Sequence, residues 1–349
     1  MKTLKHFSYF IAGGSLMMVL FLTSCGHKPT DEVDAGLNDS INAKYRDNPD
    51  LQAINKKILA NASVDSLYRQ RANIYIKLQD YDLALGDAVR ALKLDSTTSK
   101  NYLLITDIYY VTNQTRKAKE TLERCLKYLP KDKTALLKMA ELFFYVKSYQ
   151  ESLNMINRAL AEDQYMSKAY FLKGMNYMEI GDTAKAVNSM LTAVEQDNNY
   201  YTAYIQLALL HYFKKSPQCL QFYDEALRIS PKSTEALYGK GKYLQDIGKV
   251  KEAKEFYKQI ITIDPAYKTA LYNLGAIALG NEKNPTEAKK YFSDALNADP
   301  KYTEAYFARG VCFEELKDKK NATADYKMAL QITPNYEPAI SALNKLDGK

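Results

Sequence analysis

The feature that most constrains this chain is a period of 34 residues. Gly174-Met175-Asn176-Tyr177, followed by Ala186 and Ala193 within AYFLKGMNYMEIGDTAKAVNSMLTAVEQD, sets a spacing that recurs along most of the sequence. Self-similarity at such a period means one supersecondary unit stacked many times, because a single unit cannot bury its own apolar face. In this register units start at Asp65, Ser99, Lys133, Ser167, Tyr201, Thr234, Lys268 and Thr303, and the last ends at Tyr336, so that residues 65–336 are tiled without a gap.

The conserved chemistry within each unit is packing chemistry. Position 4 is aromatic or Leu throughout, and position 8 reads Ala72, Thr106, Ala140, Gly174, Ala208, Gly241, Gly275 and Gly310. Position 20 reads Ala84, Ala118, Ser152, Ala186, Cys219, Ala253, Ala288 and Ala322, again all small, so two helices can approach closely. Pro130, Pro231, Pro265, Pro300 and Pro334 fall at position 32, where a missing N–H and a fixed φ end the second helix. Unit five is one residue short near Ser216-Pro217 and unit seven one long near Asn284-Pro285, both at the turn between helices.

This pattern resembles the tetratricopeptide repeat, lacking only its usual Trp. The resemblance implies an all-α, right-handed superhelical solenoid of about eight helix-turn-helix repeats with terminal capping helices. Leu51, Ile54, Ile58 and Leu59 form an apolar stripe expected to cap the N-terminal end within residues 48–64. Residues 337–349, with Ala339, Ile340 and Leu343 on one side, are expected to form the C-terminal cap.

Ahead of the repeats, Lys2 and Lys5 precede an apolar run from Phe7 to Leu22 that is broken by Gly13, Gly14 and Ser15. About sixteen residues fall short of the roughly twenty needed to cross a bilayer, so residues 1–24 read as a processed signal segment. Leu22-Thr23-Ser24-Cys25 followed by Gly26 resembles the lipobox of bacterial lipoproteins. That resemblance implies acylation of Cys25, with a stable lipid tether, since each buried methylene adds about 0.8 kcal/mol. Gly26 in place of Asp points to the outer membrane. Residues 25–47 are polar and acidic, with Asp31, Glu32, Asp34 and Asp39, and form a tether reaching on the order of 25 Å.

Without residues 1–24 the chain keeps 46 basic against 41 acidic residues, and the charges are interspersed. A nucleic-acid partner is therefore not expected. Only His27 and His211 remain outside the signal segment, which denies the chain a histidine-based triad or multi-histidine metal site. Cys125, Cys219 and Cys312 lie far apart and make no CxxC pair. Cys219 and Cys125 fall at packing positions 20 and 27, and the glycines recur inside helices without GxGxxG or GxxxxGK, so no cofactor and no catalysis are expected.

What varies is the helix A face at positions 2, 5, 9 and 12, which lines the concave surface in the tetratricopeptide family. Leu103, Tyr110, Leu137, Phe144, Phe171, Met175, Met178, Ile205, Leu209, Tyr212, Tyr238 and Tyr272 make it largely apolar. Such a groove suits an amphipathic helix or an extended peptide of a cell-envelope protein partner, unless these side chains pack on neighbouring helices or in an oligomer. Arg69, Asn73 and Lys138 match part of the family's carboxylate clamp, whereas Leu104 and Thr134 stand where it wants Asn and Lys. The layout resembles tetratricopeptide lipoproteins of Gram-negative bacteria, including Bacteroidota, that serve envelope assembly or secretion. The glycan-binding lipoproteins of that group add long insertions for the sugar, and no insertion here exceeds one residue.

Overall fold

The computed structural model describes residues 44–348, and all its regular elements there are α-helices. The signal segment 1–24, Cys25 and the tether as far as residue 43 lie outside the described residues. Two units are distinguished, divided after Ala60. In the first, α1 (Pro49–Ala60) is opened by the Asn48 side chain, which accepts from the Leu51 N–H at 3.0 Å. Leu51, Ile54 and Ile58 are buried, but Leu59 is 71 % exposed and leaves the expected stripe, because it lies off the face that the three share.

The second unit is eight helix pairs and one final helix. The pairs are α2 (Asp65–Lys77) with α3 (Tyr81–Leu94), α4 (Ser99–Val111) with α5 (Thr115–Tyr128), and α6 (Lys133–Tyr145) with α7 (Tyr149–Glu162). Next come α8 (Ser167–Ile180) with α9 (Thr183–Gln196), α10 (Tyr201–Phe213) with α11 (Gln218–Ile229), and α12 (Thr234–Asp246) with α13 (Val250–Ile263). The last pairs are α14 (Lys268–Gly280) with α15 (Pro285–Ala298) and α16 (Thr303–Glu315) with α17 (Lys319–Ile332), followed by α18 (Glu337–Leu346). Each helix packs most heavily on its sequence neighbours, the pattern of a tetratricopeptide solenoid. Each first helix begins at the first residue of its unit.

Local chemistry accounts for these bounds. Helices α5, α11, α13, α15 and α17 each stop two residues before their proline, at Tyr128, Ile229, Ile263, Ala298 and Ile332. Asp80, Asp182, Asn284 and Asp318 cap second helices by accepting from the backbone N–H three residues on. The turn between paired helices uses a left-handed residue, which is Gly at Gly181 and Gly248 but Lys at Lys147, Lys215 and Lys317.

The core is where small residues let rings in. Ala84, Ala118, Ala186, Cys219, Ala253, Ala288 and Ala322 are fully buried, and Ser152 joins them by donating its hydroxyl to the Ala140 carbonyl at 2.8 Å. Thr106, the one departure at position 8, is likewise fully buried and donates to the Tyr102 carbonyl at 2.9 Å. At Gly241, Gly275 and Gly310 a Cβ would stand 3.1, 2.7 and 2.5 Å from the rings of Tyr257, Phe292 and Tyr326 on the paired helix. The first and last pairs differ from the rest by a buried bidentate ion pair. Arg71 grips Asp87 through Nε and Nη2 at 2.7 Å each, and Arg309 grips Asp325 at 2.7 and 2.8 Å.

Two expectations follow. Gly310→Ala drives a methyl into the Tyr326 ring and should cost about 1–3 kcal/mol. Gly86→Ala, whose Cβ meets nothing within 4 Å, should gain roughly 0.5–1 kcal/mol from helix propensity. Urea midpoints that move together for both variants would contradict this account. The second concerns tyrosine, of which the chain has 29. Burial pushes the phenols of Tyr223, Tyr257 and Tyr326 well above the ordinary tyrosine range, and those of Tyr200 and Tyr201 up to about 12. A folded pKa above the unfolded one contributes stability that is complete below about pH 10 and vanishes as pH rises through the folded values. Helicity at 222 nm should therefore fall between about pH 10 and 12 as phenolate absorbance at 295 nm rises. Phenols that titrate near their free value while helicity is untouched would refute it.

Candidate functional site

The candidate groove residues lie on first helices, at register positions 5, 9 and 12. Their burial separates them into two groups. Leu137, Met175 and Ile205 are 5, 7 and 3 % exposed and belong to the stacked core, because adjacent helices close over them. The other nine, Leu103, Tyr110, Phe144, Phe171, Met178, Leu209, Tyr212, Tyr238 and Tyr272, are half-buried. They present part of their apolar surface while their rims are held by neighbours.

For Phe144, Phe171, Tyr212, Tyr238 and Tyr272 those neighbours include aromatic rings. The Phe144 ring meets Tyr149 at 5.9 Å, and the Tyr212 ring meets Tyr243 at 5.8 Å while its hydroxyl donates to Asp246. The Tyr110 hydroxyl is buried with no hydrogen-bond partner among the described residues. Burial first, then the charges of Glu141 and Asp107, push its phenol far above the ordinary range, so it stays a neutral donor.

A periodic device that the sequence reading did not anticipate runs through the later repeats. The position 5 aromatic packs on the residue that immediately precedes the next first helix: Phe171 with Tyr200 at 5.0 Å, Tyr238 with Tyr267 at 6.0 Å, Tyr272 with Tyr302 at 5.3 Å, and Phe307 with Tyr336 at 5.7 Å. In the last three repeats the same ring also meets the ring seated over the position 8 glycine, Tyr257, Phe292 or Tyr326, at 6.0, 5.4 and 5.6 Å. Tyr200, Tyr267, Tyr302 and Tyr336 occupy N-cap positions yet make no capping bond. Asp132 and Ser233 at the equivalent place do cap. A cap contributes about 1 kcal/mol and an aromatic pair about 0.5–1.5 kcal/mol beyond its area, so the exchange is near neutral locally and binds one repeat to the next. The signal for it is visible in the sequence as Tyr one residue before a unit start.

The charged part of the groove lies in the early repeats and is internally neutralised. Lys138 is 2.8 Å from Asp107 and 3.8 Å from Glu141, which in turn meets Lys168 at 2.6 Å. Burial works against the Lys138 ammonium, but the two carboxylates outweigh it and its pKa lies above the ordinary lysine value. Arg69 pairs with Asp65 and donates to Asn101 Oδ1 at 2.8 Å. Arg69 and Asn73 line a shallow cleft of about 390 Å³ together with Asp107. The cations that a carboxylate clamp requires thus already hold the chain's own acids, and with Leu104 buried beside them the clamp arrangement is incomplete.

The three cysteines of the repeats are buried. Burial pushes the thiols of Cys125 and Cys312 up to about 12 and that of Cys219 up to about 11, so all three stay protonated at neutral pH. His211 packs on Phe222 at 5.1 Å, and burial followed by Lys214 lowers its pKa. Among the described residues no group of three His, Cys, Asp or Glu side chains is placed to hold a metal, and no helix is long and apolar enough to cross a membrane.

Comparison with known proteins agrees with this geometry. Tetratricopeptide repeat family models match residues 167–200, 234–267 and 272–337, the first two coinciding with units four and six. A DnaJ homolog subfamily C member 7 homolog from Dictyostelium discoideum is 24 % identical over 310 residues, which cover 79 % of this chain and 57 % of that protein. The Hsp70-Hsp90 organizing protein of Triticum aestivum is 23 % identical over 172 residues, covering 49 % of this chain and 28 % of its own length. The chain thus spans little more than half of the first of these relatives. The C-terminal part of a TPR repeat-containing protein from Cytophaga hutchinsonii superposes with a TM-score of 0.60 at 17 % identity, over 68 % of this chain and 98 % of that one. Residues 167–200, 234–267 and 272–337 are tetratricopeptide repeats, and the fold that contains them is a tetratricopeptide solenoid.

Proposed function

We propose that this protein is a membrane-tethered scaffold that holds a protein partner on the first-helix face of its repeats and catalyses nothing. The observation that carries the reading is the row of half-buried Leu, Met and aromatic side chains at positions 5, 9 and 12. They stand on a rigid helical stack whose thiols and imidazole are closed off. Apolar anchors held in place by neighbours lose little rotamer freedom when a partner covers them, which favours binding. Two of the relatives are named as a DnaJ homolog and an Hsp70-Hsp90 organizing protein, and the second of these names describes a protein that brings others together.

The tether belongs to the same proposal. The Leu22-Thr23-Ser24-Cys25-Gly26 string supports acylation of Cys25 and placement on the outer membrane, with the repeats reaching a cell-envelope partner from residues 25–47. Cys25→Ala is expected to move the protein from the membrane fraction to the soluble fraction and to abolish acylation, read by mass spectrometry of the N-terminal peptide. Membrane association that survives a carbonate wash in this variant would sink the tether.

Replacing Tyr110, Phe144, Phe171 and Tyr212 together by Ser is expected to abolish crosslinked capture of the membrane partner. Each anchor contributes about 1–2 kcal/mol when lost from an interface centre. Helicity should be nearly retained, whereas Gly174→Leu, which forces a side chain onto Met190 2.7 Å from the ideal Cβ, should unfold its repeat. Full capture by the folded quadruple variant would refute the groove.

A further inference from the structure

The aromatic strip of the last three repeats has a charge character of its own. Six rings follow one another from Tyr238 to Tyr336, and two carboxylates stand among them. Glu304 is exposed and stands on the first turn of its helix, two residues after Tyr302 and at position 2 of its repeat; burial and then the neighbouring phenols raise the pKa of Tyr272 and Tyr302, and its charge adds to this. Glu235 is exposed, stands at the same position 2 two repeats earlier and accepts from the Tyr201 hydroxyl at 3.0 Å. Neither has an ion-pair partner among the described residues. The acids of the early groove, Asp107 and Glu141, are by contrast bound to lysines. Three cations of these first helices are committed elsewhere: Lys242 to Asp246, Lys268 to Asp299 and Arg309 to Asp325.

Uncommitted carboxylates beside neutral aromatic faces favour a cation, which gains both an ion pair and the attraction of the ring quadrupole. The strip already shows the second contact, where Lys268 Nζ sits 5.5 Å from the centre of the Tyr302 ring. We propose that the strip from Glu235 to Tyr336 docks an extended, lysine- or arginine-bearing segment of the partner protein. Its basic side chains lie against Glu235 and Glu304, and its backbone runs along the rings. The inference rests on the scaffold reading and names the chemistry of the segment held. The two carboxylates are two repeats apart, on the order of 20 Å for helices packed at 8–10 Å, a span covered by about six extended residues.

The test uses labelled peptides of about twelve residues in a Leu, Pro and Ser background, with two lysines about six residues apart, and twins carrying Gln or Glu at those sites. Fluorescence anisotropy with the whole protein should show the lysine peptide binding about tenfold tighter than the Gln twin and the Glu twin weakest, with a preference that shrinks in salt. Glu235→Gln combined with Glu304→Gln should erase the preference without moving the melting temperature, since both side chains are exposed. Tyr302→Leu should weaken the lysine peptide, and Tyr302→Phe should not. Equal binding of the three peptides, no binding of the lysine peptide up to millimolar concentration, or a preference unchanged in the double Gln variant would each overturn the proposal. Capture of the membrane partner that fails in the quadruple Ser variant would still stand in any of those cases, so loss of the strip and loss of the scaffold reading are told apart.

Discussion

The structure depends on how closely the two helices of each repeat can approach. Where position 8 is glycine, the facing ring or Met190 lies so near that an added methyl group would force it to shift. This contact removes apolar surface from water at each pair and fixes the angle at which one helix leaves the other. In the last three repeats it also fixes a ring, and that ring seats the position 5 aromatic, which in turn seats the tyrosine that begins the next repeat. A missing side chain in the core thereby determines the surface that a partner would meet.

Polar groups in the body follow from the same closeness. Ser152 and Thr106 are tolerated at packing positions because each hydroxyl finds a helix carbonyl within 2.9 Å, leaving nothing unsatisfied. Asn101 is fully buried between the first two repeats and donates to the Asp95 carbonyl at 2.6 Å while its own oxygen accepts from Arg69. The ion pairs Arg71–Asp87 and Arg309–Asp325 are confined to the terminal repeats. Breaking such a buried pair costs more than never having it, so the two ends are held by groups that tolerate no single replacement.

The candidate face divides along the array. The early repeats place Asp107, Lys138, Glu141 and Lys168 in a closed set of ion pairs, which offers little to a charged ligand. The middle repeats offer Phe144, Phe171, Met178, Leu209 and Tyr212 as partly covered apolar surface. The later repeats add tyrosines with free carboxylates. A solenoid allows this division because each repeat contacts only its neighbours, so the surface of one can change without disturbing the packing of another.

The repeat was legible in the sequence because its determinants are local and periodic. Small residues at positions 8 and 20, prolines at position 32 and one-residue length changes in the turns, a loss at Ser216-Pro217 and a gain at Asn284-Pro285, mark the helices directly, through sterics that act within one unit. Which side chains of the groove register remain accessible is not local. Leu137, Met175 and Ile205 share the register of Leu103, Phe171 and Leu209, yet they are buried, because the path of the adjacent helix decides how much of a face is covered. Tyr238 and Tyr272 were visible as candidates, but their stacking partners Tyr267 and Tyr302 lie about thirty residues away and become neighbours only when successive repeats dock. By itself the sequence determined the period, the helices and the small-residue contacts that bring them together. The tertiary structure alone decided which rings meet, which carboxylates keep no cation and which part of the groove stays open, since each of these depends on distances between repeats.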